Sequence, residues 1–343
     1  MTTIPERCRL LAEFDPDPEG AAEWRQLAEI ANVRLVPGTT ASIHTALRVA
    51  ERRIVAAPWV VLAERPKLTP EQEALYAEFM KLREHHAMAL HARMGAYFAR
   101  VSMLAHHRYI NGAVQLADDT PSEAPDGTPL PDDWDTMSEA DRVSWMVAHT
   151  PTSAVAPLLP DAEDDALGSI LGGHALTVAE SAWGAVNVSK VLAELPWPGA
   201  DTGSVVGMAS VATSRAVGIN DVTREALART VSTGLARGYS GEQIARGVAA
   251  DNYLGVRDII QTTYRNRSRA IAQYETAWAQ NKGAVLRYKA SDVESVTVLD
   301  DESENSDEEC EAYDGENWSL DEADANPISH PYCVRAFVPM ADA

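Results

Sequence analysis

The feature that most narrows the folds open to this chain is a polar-interrupted apolar seam between Val256 and Ala290. Ile260, Tyr264, Arg267, Ile271, Tyr274, Trp278, Asn281, Val285 and Tyr288 recur at alternating spacings of four and three. That period puts all of them on one side of a helix of some nine turns, which is stable only against another helix. Arg267 and Asn281 interrupt the seam, so each is either satisfied inside an interface or marks where the seam leaves the core.

A second seam precedes it. Thr69 as N-cap, Pro70 at the first helical position and Gln72 three residues after the cap form a capping box. Leu75, Phe79, Leu82, His86, Leu90, Met94, Tyr97 and Val101 then continue at helical spacing, predicting a helix that runs past residue 100. Ser138 with Asp141 caps a short helix through Trp145, and a helical stretch is expected near residues 161–195, closed by Pro196, Pro198 and Gly199. Asn220 or Asp221 can cap a further helix with Val222, Leu227, Val231 and Leu235 along one face. Gly238 offers its stop, and Ser240 with Gln243 opens another helix toward Ile244 and Val248. Beyond Ala290 the pattern changes: Val293, Val296, Val298 and Leu299 suggest a strand, Asp314-Gly315 a turn, and Cys333 to Val338 a second strand.

The expected fold is therefore mainly α: an elongated helical N-terminal and central region with long helices, plus a small C-terminal α+β module. Its parts are an irregular, short-helix segment (1–67), a long helix (68–117), a Pro/Asp/Gly-rich loop (118–136), a helical region (137–217), a helical core (218–290) and an acidic module (291–343). With 343 residues, 45% of them apolar, the chain can bury a substantial core. Residues Met1 to Leu11 do not resemble an export signal. The longest apolar run, Ile54 to Ala63, has about half the ~20 residues of a membrane span and contains Pro58, so no membrane association is expected. Three cysteines, Cys8, Cys310 and Cys333, make no disulfide framework and fit a reducing compartment.

The net charge of -22 is unevenly placed. Fifteen acids and no Lys, Arg or His lie between Ser291 and Ser329, whereas residues 256–290 hold seven basic and two acidic residues, a net +5. Arg257, Arg265, Arg267 and Arg269 of that basic helix are candidates for contact with DNA or a protein partner, and the helix can equally pair with the acidic module that follows it. A calcium loop starting at Asp301 fails, because its sixth position is Ser306 and its twelfth Ala312.

One metal-like spacing stands out. Asp307-x-x-Cys310 and His330-x-x-Cys333 form two half-sites separated by 19 residues, close to the ~15–20 between the knuckles of structural zinc sites. Zinc takes thiolate, imidazole and carboxylate at four tetrahedral corners; the alternative is a metal-free module whose thiols pack as small apolar groups. His85, His86, His91, His106 and His107 on the first long helix lack a His-Glu-x-x-His arrangement, and neither a Gly-x-Ser-x-Gly nor a phosphate-binding loop occurs. An enzyme is not indicated.

Several runs, in this order, resemble the phage Mu F-like minor capsid (head morphogenesis) proteins. They are Ile219-Asn220-Asp221-Val222-Thr223-Arg224-Glu225, Gly238-Tyr239-Ser240, Arg269-Ala270-Ile271-Ala272 with Tyr274-Glu275-Thr276 and Asn281, Leu299-Asp300-Asp301, Cys310 with Asp314-Gly315, and His330-Pro331-Tyr332-Cys333-Val334-Arg335. The match covers roughly the last 125 residues. The chain departs from the pattern at Asp307, where the family often has Cys, at Tyr274, where Thr is common, and at Tyr332-Cys333-Val334-Arg335, where many members read Asn-Cys-Arg-Cys. The resemblance implies a non-enzymatic virion protein inside the head at the portal vertex, made in the host cytoplasm. It would bind the portal protein and other capsid or scaffold proteins, and act in head assembly or genome delivery, with Glu275, Asn281, Asp300, Asp301, Asp314, Gly315 and Pro331 as motif positions. Two other readings stay open: a metal-dependent nuclease or protease using the C-terminal Asp/Cys/His cluster, and a DNA-binding head protein using the basic helix.

Overall fold

The computed structural model describes residues 68–112, 122–199, 202–300 and 308–340. The expectations for residues 1–67, Cys8, residues 118–121, Asp301 and Asp307 lie outside the described residues. The chain is mainly helical with small antiparallel sheets toward its C-terminal end, and no described helix is long and apolar enough to cross a membrane.

Helix α1, Pro70–Ile110, starts as its sequence dictates: the Thr69 hydroxyl accepts the Gln72 N–H at 3.3 Å and the Gln72 side chain accepts the Thr69 N–H at 2.8 Å. Its buried face is Leu75, Phe79, Leu90, Met94, Tyr97 and Val101, with Arg83 and Ala87 in the middle. His86 is half-buried beside that face, accepting or donating at Ser181 over 3.0 Å. Short helices α2 (Glu139–Ala148) and α3 (Thr152–Val155) follow. The Ala/Gly-rich α4, Ala162–Ser189, and α5, Gly203–Ala236, pack closely together. A Cβ at Gly168 or Gly172 would meet Thr213 at 2.6 and 2.8 Å, so small residues set that helix separation.

The helix expected to be capped at Asn220 or Asp221 does not start there; α5 runs straight through both. Asn220 is fully buried and spends its polar atoms on other elements, its Nδ2 donating to Asp164 Oδ1 at 2.7 Å and to the Tyr97 hydroxyl at 3.2 Å. Arg224, one turn on, reaches Asp164, Asp221 and the Leu159 carbonyl. A cap-type residue thus becomes a tertiary anchor when partners exist elsewhere. Val222, expected on the inner face, is 38% exposed, while Leu227, Val231 and Leu235 are buried.

Helix α6, Gly241–Arg246, begins with the Ser240/Gln243 capping box, but it stops before Val248. Gly247 takes φ +86°, where a Cβ would strike the Tyr253 carbonyl at 2.6 Å. Strand β1 (Gly247–Val248) then pairs antiparallel with β2 (Tyr253–Leu254). Helix α7, Val256–Lys289, carries the long seam through the centre, against α1, α4 and α5. Ile260, Trp278, Val285 and Tyr288 are buried; Arg267 is half-buried; Asn281 is fully buried and donates to the Pro327 and Arg335 carbonyls at 2.6 and 2.8 Å.

The C-terminal module follows. Strand β3, Ser295–Leu299, lies between β4, Asn317–Ser319, and β5, Ala336–Pro339, all antiparallel, with helices α8 (Glu308–Tyr313) and α9 (Leu320–Ala325) around β4. The second strand starts at Ala336 rather than Cys333, because residues 330–333 form a tight turn. Val298, Phe337, Val296 and Trp318 pack with Phe79 of α1, Val186 of α4 and Tyr288 of α7 in one core.

His174 of α4 is 2% exposed, with Nε2 2.9 Å from the Thr276 hydroxyl of α7. Burial, and after it the positive charge of His86 and Arg93, pushes its pKa from 6.5 down to about 3. A depressed folded-state pKa means that the neutral ring's contribution is complete above pH ~6.5 and is lost as pH falls toward 3. Melting temperature should therefore drop more between pH 7 and pH 4 in the native chain than in a His174→Gln variant; parallel curves would contradict this role.

Candidate metal centre

Two segments of the C-terminal module meet at one point. Helix α8 delivers Cys310, which is fully buried. The turn after Pro327 delivers His330, half-exposed, and Cys333, 5% exposed; the Cys333 N–H donates to the His330 carbonyl at 3.1 Å. Tyr332 inside this turn has φ +71°, a left-handed conformation that costs a residue with a side chain of order 1–2 kcal/mol. The turn aims both ligand-bearing side chains the same way. Cys310 Sγ lies 3.0 Å from His330 Nε2, and the donor atoms of Cys310, His330 and Cys333 all fall within 4.8 Å of one another.

Tetrahedral zinc with bonds of about 2.0–2.3 Å holds its ligand atoms roughly 3.3–3.8 Å apart, so small side-chain rotations would close this triangle on an ion. Two thiols and an imidazole are the soft donor set that zinc takes. The group can hold a metal. The Cys333 thiol is pushed well above its ordinary range by its hydrogen bond with Cys310, by burial and by the charge of Asp300. Any metal must displace that proton, so binding would release acid and weaken as pH falls.

A buried polar network surrounds this triangle. Asp300 leaves the end of β3 with its side chain fully buried, its carboxylate oxygens 3.8 and 4.0 Å from Cys333 Sγ. Its Oδ2 accepts from Arg335 Nε at 2.9 Å, and its N–H donates to Asp314 Oδ1 at 2.8 Å. The buried Arg335 guanidinium also reaches the Asn326 carbonyl and the Ser329 hydroxyl, and it lies 5.1 Å from the ring centres of both Tyr313 and Trp318. From α1, Arg83 donates to the Arg335 carbonyl at 2.7 Å and the Cys333 carbonyl at 3.4 Å. Gly315, at φ +84°, turns the chain so that its N–H donates to the Val298 carbonyl.

Cys310, His330 and Cys333 come together, and Asp300, Asp314, Gly315, Pro331 and Asn281 gather around them. Glu275 stands apart: Arg215 of α5 clasps it with two bonds of 2.7 and 2.6 Å while lying 4.1 Å over the Trp278 ring. Burial raises the Glu275 carboxyl pKa, with Arg215 opposing it, and the pair ties α5 to α7. The four arginines separate as well. Arg257, Arg265 and Arg269 are exposed and Arg267 is half-buried, while Lys282 and Lys289 pair with Asp324 and Asp321 of the acidic module. Arg83 and Arg335 are the supporting residues absent from the sequence-derived site. The only local signal for Arg83 is a cation at an apolar-seam position.

Asp300 and Arg335 are 0% and 1% exposed, so removing either one strands the other's charge in the core. Asp300→Asn or Arg335→Met should each cost about 3–5 kcal/mol in denaturant unfolding, with the double variant Asp300→Leu/Arg335→Met recovering part of the loss. Additive losses would refute the coupling.

Comparison with known protein families, with characterised proteins and with solved structures finds no match.

Proposed function

We propose that this chain is a non-enzymatic minor capsid protein of the Mu F-like kind, bound to the portal inside the head of a tailed phage and acting in head assembly or genome delivery. The reading is supported chiefly by the meeting of the motif residues Asn281, Asp300, Asp314 and Gly315 in one small region around the buried Asp300–Arg335 pair, while the motif residue Glu275 lies apart with Arg215. A set of positions shared by order and spacing would be expected to meet in space if they serve one structural unit. Tyr332 adds to this. It holds the left-handed backbone at the position where many members of the resembled family carry Asn, the residue after glycine that best tolerates it.

In this reading Cys310, His330 and Cys333 hold a structural zinc that closes the C-terminal module and fixes α8 to the 330–333 turn. A second reading draws on one observation: three donors, with His330 half-exposed, match a catalytic zinc that keeps a position for water.

Co-expression with the portal and coat proteins of its own phage tests the first reading. The chain should sediment with portal complexes and procapsids in few copies, and its absence from both would overturn the assignment. Metal analysis should find about one zinc per chain, lost in Cys333→Ser together with several degrees of melting temperature. Zinc-dependent cleavage of DNA or peptide that disappears in Cys333→Ser would favour the hydrolase instead.

A further inference from the structure

Helices α1 and α7 run antiparallel, stitched by Gln261 to Ser102 at 3.0 Å and by the Tyr264 hydroxyl to the His91 carbonyl at 2.6 Å. Three cavities lie along their shared outer face. The first, about 430 Å³, is lined by His106 and Arg257; the second, about 270 Å³, by Phe98 and Arg265; the third, about 540 Å³, by Arg83, Met88, Arg269 and Tyr332. His91 borders both the second and the third, so these two are neighbours.

Arg257, Arg265 and Arg269 stand at multiples of four residues, spanning about 18 Å of helix. All three are exposed, and none makes an ion pair, side-chain hydrogen bond or ring contact among the described residues. Uncompensated arginines on a chain of net charge -22 mark a local basic stripe, with Asp258 and Glu84 as the acids on its rim. The third cavity is chiefly apolar, and Met88, 64% exposed, overhangs it. Two of its lining residues, Arg83 and Gln273, each hold a buried polar atom without a partner, Nε and Oε1.

We propose that this groove receives an acidic segment of a partner protein, its carboxylates on Arg265 and Arg269 and one large apolar side chain in the cavity beneath Met88. Nucleic acid fits less well. Single strands bind by stacking bases on aromatic faces, and Tyr264 is already stacked between Phe98 and His91. A flexible thioether beside arginines suits a protein segment that must be gripped by shape and charge together. The assignment of that segment to the portal rests on the function proposed above.

The probe is a fluorescein-labelled peptide of Asp and Glu around a central Leu-Phe pair, set against its Lys-substituted counterpart and a single-stranded oligonucleotide. Fluorescence anisotropy should show binding of the acidic peptide alone, weakened roughly tenfold or more in Arg265→Glu/Arg269→Glu and in Met88→Asp. Bound peptide should slow oxidation of Met88 but not of Met103, which is 60% exposed and lines none of these cavities. Unchanged affinity in the variants, no peptide binding, or tighter binding of the oligonucleotide at the same face would each overturn the proposal. Sedimentation with procapsids separates the two claims. If the folded double-Glu variant sediments like the native chain, the assignment of the groove's segment to the portal fails while the portal reading stands; if the native chain never sediments, the portal reading fails; in both cases the peptide result decides the groove.

Discussion

A single buried guanidinium organises the C-terminal module. Arg335 bonds to the Asp300 carboxylate, to a carbonyl and a hydroxyl of the turn before it, and lies against two aromatic rings. A guanidinium removed from water is tolerated only with nearly all its donors engaged. Engaging them forces the end of β3, the 326–330 turn and the β4 region into one arrangement. In that arrangement Cys333 and His330 face Cys310. The three-stranded sheet is too small to impose this by apolar burial alone, and it borrows core from α1, α4 and α7.

The parts legible in the sequence were those whose signal is local. Both long helices announce themselves, α1 through a capping box and α7 through a seam that alternates fours and threes; α7 ends at Lys289 as expected, while α1 runs past residue 100 but ends at Ile110, short of the expected 117. The half-sites Cys310 and His330-x-x-Cys333 were visible from spacing because a tight turn needs only two intervening residues. What was not legible depended on distant partners. Asn220 reads as a cap, yet Asp164, 56 residues away, claims its side chain. Asp300 sits in a run of acids where nothing local distinguishes the one that is buried. Arg83 could be recognised only once the turn it holds, 250 residues later, was in place.

Charge is sorted in the same long-range manner. The acidic module does not merely follow the basic helix; Asp321 and Asp324 neutralise Lys282 and Lys289 at its C-terminal end. The arginines toward its N-terminal half are left uncompensated. One helix therefore has an internally satisfied end, which belongs to the fold, and an unsatisfied stretch, which faces outward. Glu275, midway, is consumed by Arg215 in holding α5 against α7, so its role is architectural.

The contacts made by α1 also set an order of events during synthesis. Gln72 bonds to the Pro339 carbonyl and Arg83 to the Arg335 carbonyl, across 267 and 252 positions of sequence. A ribosome releases the chain from its N-terminal end, so α1 emerges long before the strand and turn that meet Gln72 and Arg83 near its start. The Cys333 and Arg335 carbonyls that accept from its buried cation arrive only with the final segment. The donors Cys310, His330 and Cys333 belong to that final segment, so any ion would be captured as a late event. It would then act as a latch on an already assembled helical body and not as a nucleus from which the rest grows.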